Sequence, residues 1–356
     1  SNLGNTLRDL GKLKDAELSY RKAIKLNPDL AEAHSNLGTI LNNLGKLQDA
    51  ELSQRKAIQL NPDLAQAHYN LGNILSDLGK LQEAEAVTRK AIQLNPNYAK
   101  AHANLGSILN DLGKLQEAEA VTRKAIELKP DFAEAAWNFH GLSNSIEEAE
   151  KRINKCLEIN KDNLNAKIIL AALKLHQGDR SLLDQLIESD HKNHPWIRSI
   201  KWSSNLPKLP ELFFHRWALF DSMINKSKKN RPFYEFGVWR GASFQYLINT
   251  FKKGYGFDTF EGLPEDWHQE KKGSYSAQGI IPKIEGGRFI AGKFEDTLPT
   301  FFSETRPIAS IINFDADLYS STLCSLNYSK PIIDKHTILI FDEFIVNENW
   351  EQDEYK

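Results

Sequence analysis

The sequence predicts a multidomain chain, an all-α superhelix of stacked helical pairs followed by an α/β domain on a parallel sheet. Three observations predict it. Residues recur at a step of 34 through residues 1–134. After Arg231 the pattern switches to short apolar runs that alternate with helical ones. The length, 356 residues, suits two or three domains at roughly 100–200 residues each.

Composition bounds the function. With 41% hydrophobic and 26% charged residues, the chain is neither a disordered tract nor a collagen-like fibre. Lys plus Arg (45) nearly cancels Asp plus Glu (47), so no global field draws nucleic acid or an anionic membrane. No run approaches the about 18 apolar residues of a membrane span. Cys156 and Cys324 lie in unlike segments, so a disulfide is not expected and a reducing, cytoplasmic setting is.

The first elements follow from the repeat. Pro28, Pro62, Pro96 and Pro130 keep the step of 34, as do Gly4, Gly38, Gly72 and Gly106, and Gly11, Gly45, Gly79 and Gly113. Small residues hold the same register, Ala16 to Ala118 and Ala23 to Ala125. In one unit Ala67, Leu71, Ile74, Leu75 and Leu78 share a helical face, Gly79-Lys80-Leu81 breaks the helix, and Ala84, Val87, Ala91, Ile92 and Leu94 line the next. Asn95-Pro96 ends it, because proline restricts its predecessor and lacks an N–H. A fifth unit from Ala135 has lost three residues around Leu142–Ile146, and a sixth, weaker pair runs from Leu164 to Ser189. The array is therefore read as 1–189.

These positions resemble the tetratricopeptide repeat, whose stacked pairs present a concave face to protein or peptide partners. Asn36, Asn70, Asn104 and Asn138, with Asn2, form a periodic row similar to the inner asparagine ladder of O-linked N-acetylglucosamine transferases. Amides that both donate and accept could hold a peptide backbone there. The other reading is that they are shared surface positions of near-identical repeats. His34, His68 and His102, too far apart to share a metal, are expected to pack.

Residues 190–230 read as a linker with Pro195, Pro207 and Pro210, an aromatic cluster (Trp196, Trp202, Phe213, Phe214, Trp217, Phe220) and a helix from about Glu211 to Ile224. From 231 to 356 strands are expected at Phe233–Gly237, Lys253–Asp258, Arg288–Gly292, Ala309–Asp315 and His336–Phe341. Ligands of such sheets bind beyond the carboxyl ends of the strands, and polar residues gather at those ends. The first strand runs into Glu235-Phe236-Gly237-Val238-Trp239-Arg240-Gly241-Ala242-Ser243, a glycine-bearing turn onto a helix N-terminus. Asp258 ends the second, where an acid can take ribose hydroxyls, and Glu295-Asp296 follow the third. Asp315 and Asp317 follow the fourth, and Asp342 and Glu343 the fifth. Four carboxylates at two adjacent strand ends require protons or a cation, and hard oxygen donors without close Cys or His favour Mg2+. A lone Asp at a strand end could equally be a helix cap.

Taken together, Glu235…Gly237-Val238-Trp239-Arg240-Gly241, Phe257-Asp258…Gly262-Leu263-Pro264, Asp296-Thr297-Leu298-Pro299, Asp315-Ala316-Asp317-Leu318-Tyr319 and Asp342-Glu343-Phe344 resemble a class I S-adenosylmethionine-dependent methyltransferase with a Rossmann-like α/β domain. The nearest resemblance is to the macrocin O-methyltransferase family. The resemblance implies that Glu235, Gly237, Trp239, Gly241 and Ser243 shape the methionine side of the cofactor pocket. It places Asp258 on the ribose, Asp296 near adenine and Asp315 at the cofactor and metal. Asp315, Asp342 and Glu343 would bind Mg2+, with Asp317 as general base. That family more often carries Asp-Asp-Tyr where Asp342-Glu343-Phe344 stands. It also continues past the fifth strand, so the chain reads as a fragment at both ends.

The expected function is a Mg2+-dependent O-methyltransferase for a sugar or other small-molecule hydroxyl, with the repeats recruiting a protein partner or the substrate. Two alternatives are kept: a non-catalytic scaffold with a degenerate methyltransferase domain, and methylation of a peptide held in the repeat groove.

Overall fold

The computed structural model describes residues 2–266 and 270–342. They divide into two compact units, one up to Ala166 and one from Lys167 on. The division falls within the first helix of the sixth pair, not after the pair as the repeat count suggests.

The first unit is five antiparallel helical pairs: α1 (Asn2–Asp9) with α2 (Leu13–Leu26), α3 (Ala31–Asn43) with α4 (Leu47–Leu60), α5 (Ala65–Asp77) with α6 (Leu81–Leu94), α7 (Ala99–Asp111) with α8 (Leu115–Leu128), and α9 (Ala133–His140) with α10 (Ile146–Ile159). The first helices of the first four units end at the periodic glycines. Gly45, at φ +72°, donates to Asn42 and Lys46 to Leu41, the paired bonds that close a helix on a left-handed residue. The second helices α2, α4 and α6 stop at Asn-Pro, where the Asn61 and Asn95 side chains each accept from the N–H two residues on at 3.2 Å. His68 and His102 pack as expected, and each ring Nε2 meets the carbonyl of Pro62 or Pro96 at 2.9 Å, tying the turn to the next helix.

The alanines and glycines lie where partner helices cross. Ala16, Ala50, Ala84 and Ala118 are fully buried. A Cβ built on Gly72 would stand 2.1 Å from Thr88 Oγ1, and one on Gly106 equally close to Thr122 Oγ1. Successive first helices α3, α5, α7 and α9 pack on one another more closely than successive second helices do, so the stack curves with the first helices inside.

A charge ladder joins neighbouring units. Glu51 accepts from Arg55 at 2.8 Å in its own helix and from Lys80 of the next unit at 2.7 Å; Glu17 and Glu85 repeat the pattern. In the shortened fifth unit Ser145 stands at the N-cap position that the lysines hold in its predecessors. Buried Arg152 takes over, bonding Glu119 and Glu148, donating to the Phe139 carbonyl and stacking 3.8 Å over that ring's centre. Burial raises the Glu51 and Glu85 carboxyls, but their Lys and Arg partners outweigh it and hold them below the ordinary range; at Glu17, Lys46 leads the lowering. Lowered folded values mean the stabilisation is complete above the unfolded carboxylate range and fades as pH falls through the folded values. Glu51→Gln/Glu85→Gln should therefore be less stable than the parent at pH 7, with the gap closing below about pH 4. Urea melts followed by circular dichroism across pH check this. A gap independent of pH would refute the ladder's contribution.

The second unit opens with α11 (Leu164–His176), which straddles the division, then α12 (Ser181–Glu188), α13 (Pro195–Ser203) and α14 (Arg216–Lys226). The segment read as a linker thus contains two helices. His215 caps α14 by accepting from the Ala218 N–H, so that helix starts five residues later than its apolar spacing suggests. There follow β1 (Phe233–Phe236), α15 (Ala242–Phe251), β2 (Gly254–Asp258), β3 (Gly287–Ala291), α16 (Phe294–Phe301), β4 (Ile311–Phe314), α17 (Tyr319–Ser329) and β5 (Ile338–Phe341). All five expected strands are present; four are shorter than expected, and the third is shifted one residue earlier, to Gly287–Ala291. They pair in parallel in the order β3-β2-β1-β4-β5, the order of open doubly wound sheets. Stacked rings of Phe236, Phe257, Phe314 and Phe341 run across four strands, with 4.8–5.4 Å between neighbouring centroids.

Candidate functional site

Strand order turns back between β1 and β4, and such switch points open a crevice beyond the strand ends. Three polar groups meet there. Glu235 on β1 is fully buried, and Asn313 on β4 donates to its Oε1 at 2.8 Å. Burial pushes the Glu235 carboxyl up to about 7, against the Ser243 hydroxyl, Asn313 and the charge of Arg216. Asp315 follows β4 and is raised well above the carboxylate range, first by burial, then by the like charge of Asp342.

Gly237 makes the junction. It sits at φ +90°, and a Cβ there would lie 1.7 Å from the Asp315 carbonyl oxygen. The turn continues through Trp239, at φ 48°, to Gly241, which precedes α15 at φ +81°. A bulky residue at positive φ is strained backbone, of the kind that clusters at functional sites. The indole Nε1 of Trp239 is buried without a hydrogen-bond partner among the described residues. Ser243 is buried in the first turn of α15.

Asp258 has a task the sequence did not suggest. Its Oδ2 accepts the Val238 and Trp239 N–H groups at 2.8 and 2.7 Å, and Oδ1 accepts from Phe260 at 2.6 Å. The carboxylate is the anchor of the β1–α15 turn. Asp296 is exposed in the first turn of α16, and Asp317 stands after β4 at φ 59°.

Of the expected Mg2+ set of Asp315, Asp342 and Glu343, the first two are described. Glu343 lies outside the described residues. Asp342 and Asp315 are instead bridged by Arg216, whose Nη2 is 3.2 and 3.1 Å from the Asp342 oxygens and whose Nη1 is 4.0 Å from Asp315 Oδ2. Among the described residues no three Cys, His, Asp or Glu gather as metal ligands. Asp315 and Asp342, the two described members of that set, fit an arginine-bridged carboxylate pair, not a Mg2+ site. Sequence reading missed Arg216 inside the supposed linker. It also passed over Asn313, whose signal was an amide within the buried apolar strand Ile311–Phe314.

In the first unit the asparagine row lies on the inner helices and is half-buried. Asn70 donates from Nδ2 to Thr39 at 3.1 Å on the preceding inner helix and accepts from Gln66 at 2.8 Å. Asn138 donates to Ser107 at 2.9 Å, and Asn104 accepts from Thr88 at 3.2 Å. Three of the four thus brace the array. Beside them Tyr98 donates to Gln66 at 2.6 Å and packs on Tyr69 with centroids 5.0 Å apart.

Profiles described as TPR repeat or tetratricopeptide repeat match residues 4–45, 31–64, 65–98 and 99–132. Residues 4–132 are a tetratricopeptide repeat array. Solved structures similar to the chain include pilF of Pseudomonas aeruginosa, at 20% identity and TM-score 0.51 over 56% of this chain and 94% of that one. They include the APC/C hetero-tetramer Cut9–Hcn1, at 16% identity and TM-score 0.50 over 57% and 42%. A thermophilic TPR protein of Thermus thermophilus aligns at 25% identity and TM-score 0.43 over 49% and 96%. No curated protein matches the sequence significantly. Tetratricopeptide arrays use their concave face to bind protein or peptide partners, and in this array that face is the one carrying the asparagines. No helix among the described residues is long and apolar enough to cross a membrane.

Proposed function

We propose that the α/β unit is an S-adenosylmethionine-dependent methyltransferase acting on a sugar or other hydroxyl, and that the tetratricopeptide array recruits its protein or peptide partner. The observation that carries this reading is the polar cluster of Glu235, Asn313 and Asp315 at the β1/β4 switch point, beside a turn where only glycine fits. A nucleoside-bearing ligand suits that place. Gly237 and Gly241 allow backbone to approach it, the buried indole N–H of Trp239 and the Glu235 carboxyl offer polar partners, and Asp258 keeps the turn in register. Asp296 would serve the adenine end. When bound, S-adenosylmethionine supplies an electrophilic methyl group for in-line displacement by the acceptor oxygen. Asp317 would accept the acceptor's proton at about 2.6–3.2 Å, and alignment by the pocket walls would provide much of the rate.

Calorimetric titration of S-adenosylhomocysteine into the chain tests the reading. Saturable binding is expected, abolished by Asp258→Ala because three backbone N–H groups of the turns lose their acceptor. Absence of binding by the parent would overturn it. The scaffold reading has its own support, since the profile matches fall on the repeats. It expects a chain that captures a peptide and ignores the nucleoside.

A further inference from the structure

Arg216 owes its position to three local devices. His215 caps α14, with its ring Nδ1 3.1 Å from the Ala218 N–H, so the helix begins at the arginine. Trp217, 7% exposed, packs on Tyr246 of α15 with centroids 4.5 Å apart, and Phe220 one turn on joins them. Tyr246 in turn donates to Asp221 of α14 at 2.7 Å. With α14 held on α15, the first side chain of the helix meets the carboxylates that follow β4 and β5. Its charge reaches inward as well, lowering both Asp315 and Glu235 against the burial that raises them.

A divalent ion with oxygen ligands needs carboxylates that converge with open lone pairs. Here one guanidinium lies across both. The geometry points to Arg216 as the resident cation of this site: the chain's own guanidinium bridges the Asp315–Asp342 pair and, among the described residues, stands where a divalent metal would have to sit. Arginine suits the task, being charged at any ordinary pH and carrying a planar fork that can reach two carboxylates. Without it, two like charges would face each other, which carboxylates tolerate only with a bound proton or a foreign cation. This holds whether or not the unit binds S-adenosylmethionine.

Mn2+ is the probe, with its free-ion paramagnetic resonance signal read against full-length chain at neutral pH. The parent should show no saturable binding up to about 1 mM, the edge of weak association. Arg216→Gln should acquire saturable Mn2+ binding at least about tenfold tighter than that limit, a difference of about 1.4 kcal/mol, and adding Asp315→Asn should remove it. Arg216→Met, which keeps an unbranched apolar stem, is carried in parallel in case the glutamine variant misfolds. Saturable binding by the parent that Asp315→Asn abolishes would overturn the inference. So would a folded Arg216 variant that acquires none. If neither variant folds, the parent titration decides alone.

Discussion

Gly237→Ala should disrupt the α/β unit while leaving the repeat array folded. The added methyl carbon would stand 1.7 Å from the Asp315 carbonyl oxygen, at a φ of +90° that an L side chain rarely adopts. Neither strand end can easily yield, because Asp315 donates to Phe236 at 2.8 Å and Gly237 to Phe257 at 2.9 Å. A backbone clash that cannot relax belongs with the large destabilisations, about 4 kcal/mol or more. Six of the seven tryptophans lie beyond residue 166, so tryptophan fluorescence reads the second unit while far-ultraviolet dichroism is weighted toward the helical repeats. Gly237→Ala should shift the fluorescence transition to lower denaturant or abolish it, with the main helical transition kept. An unchanged fluorescence transition would show that the junction is looser than described.

The second large effect is in the array, and it should be reversible by a second substitution. Gly106→Ala places a methyl carbon 2.1 Å from Thr122 Oγ1 and 3.4 Å from its Cβ, so the hydroxyl is the obstacle. That hydroxyl is buried and has no hydrogen-bond partner among the described residues. Thr122→Ala alone should therefore be close to neutral, since it removes an unsatisfied group. Gly106→Ala alone should cost about 1–3 kcal/mol through overpacking. The double variant should return to the parent's stability or exceed it, because alanine is favoured over glycine inside a helix by about 1 kcal/mol. Urea melts of the four proteins form a thermodynamic cycle, and additive effects would show that the two positions do not share the space.

Both glycines were visible in the sequence, but for different reasons and to different depths. Gly106 recurs at a step of 34, and a periodic small residue opposite another helix already implies close approach. Gly237 does not recur. Its neighbours suggested a turn toward a ligand, yet the group it makes room for, the Asp315 carbonyl, lies 78 residues further on. The strands were legible because buried parallel strands are short apolar runs, and the repeats because 3.6-residue periodicity records which face is buried. The sixth helical pair shows the limit. Its apolar spacing continues the repeat pattern, but spacing does not say which neighbour an amphipathic face packs against, and the second unit takes most of it.

The polar site divides the same way. Its composition could be read from the strand ends, where Glu235, Asp258, Asp315 and Asp342 were all named. Their partners could not. Asp258 is spent on the backbone of its own crevice, Asn70 on the neighbouring repeat, and Asp342 on Arg216, 126 residues before it in the chain. Hydrophobic periodicity is local because burial depends on one face of one element. A hydrogen bond or ion pair depends on where two elements end up to within about half an ångström. The repeat, the strands and the kinds of residue at their ends are written in local pattern; strand order and the placement of α14 set which charges meet.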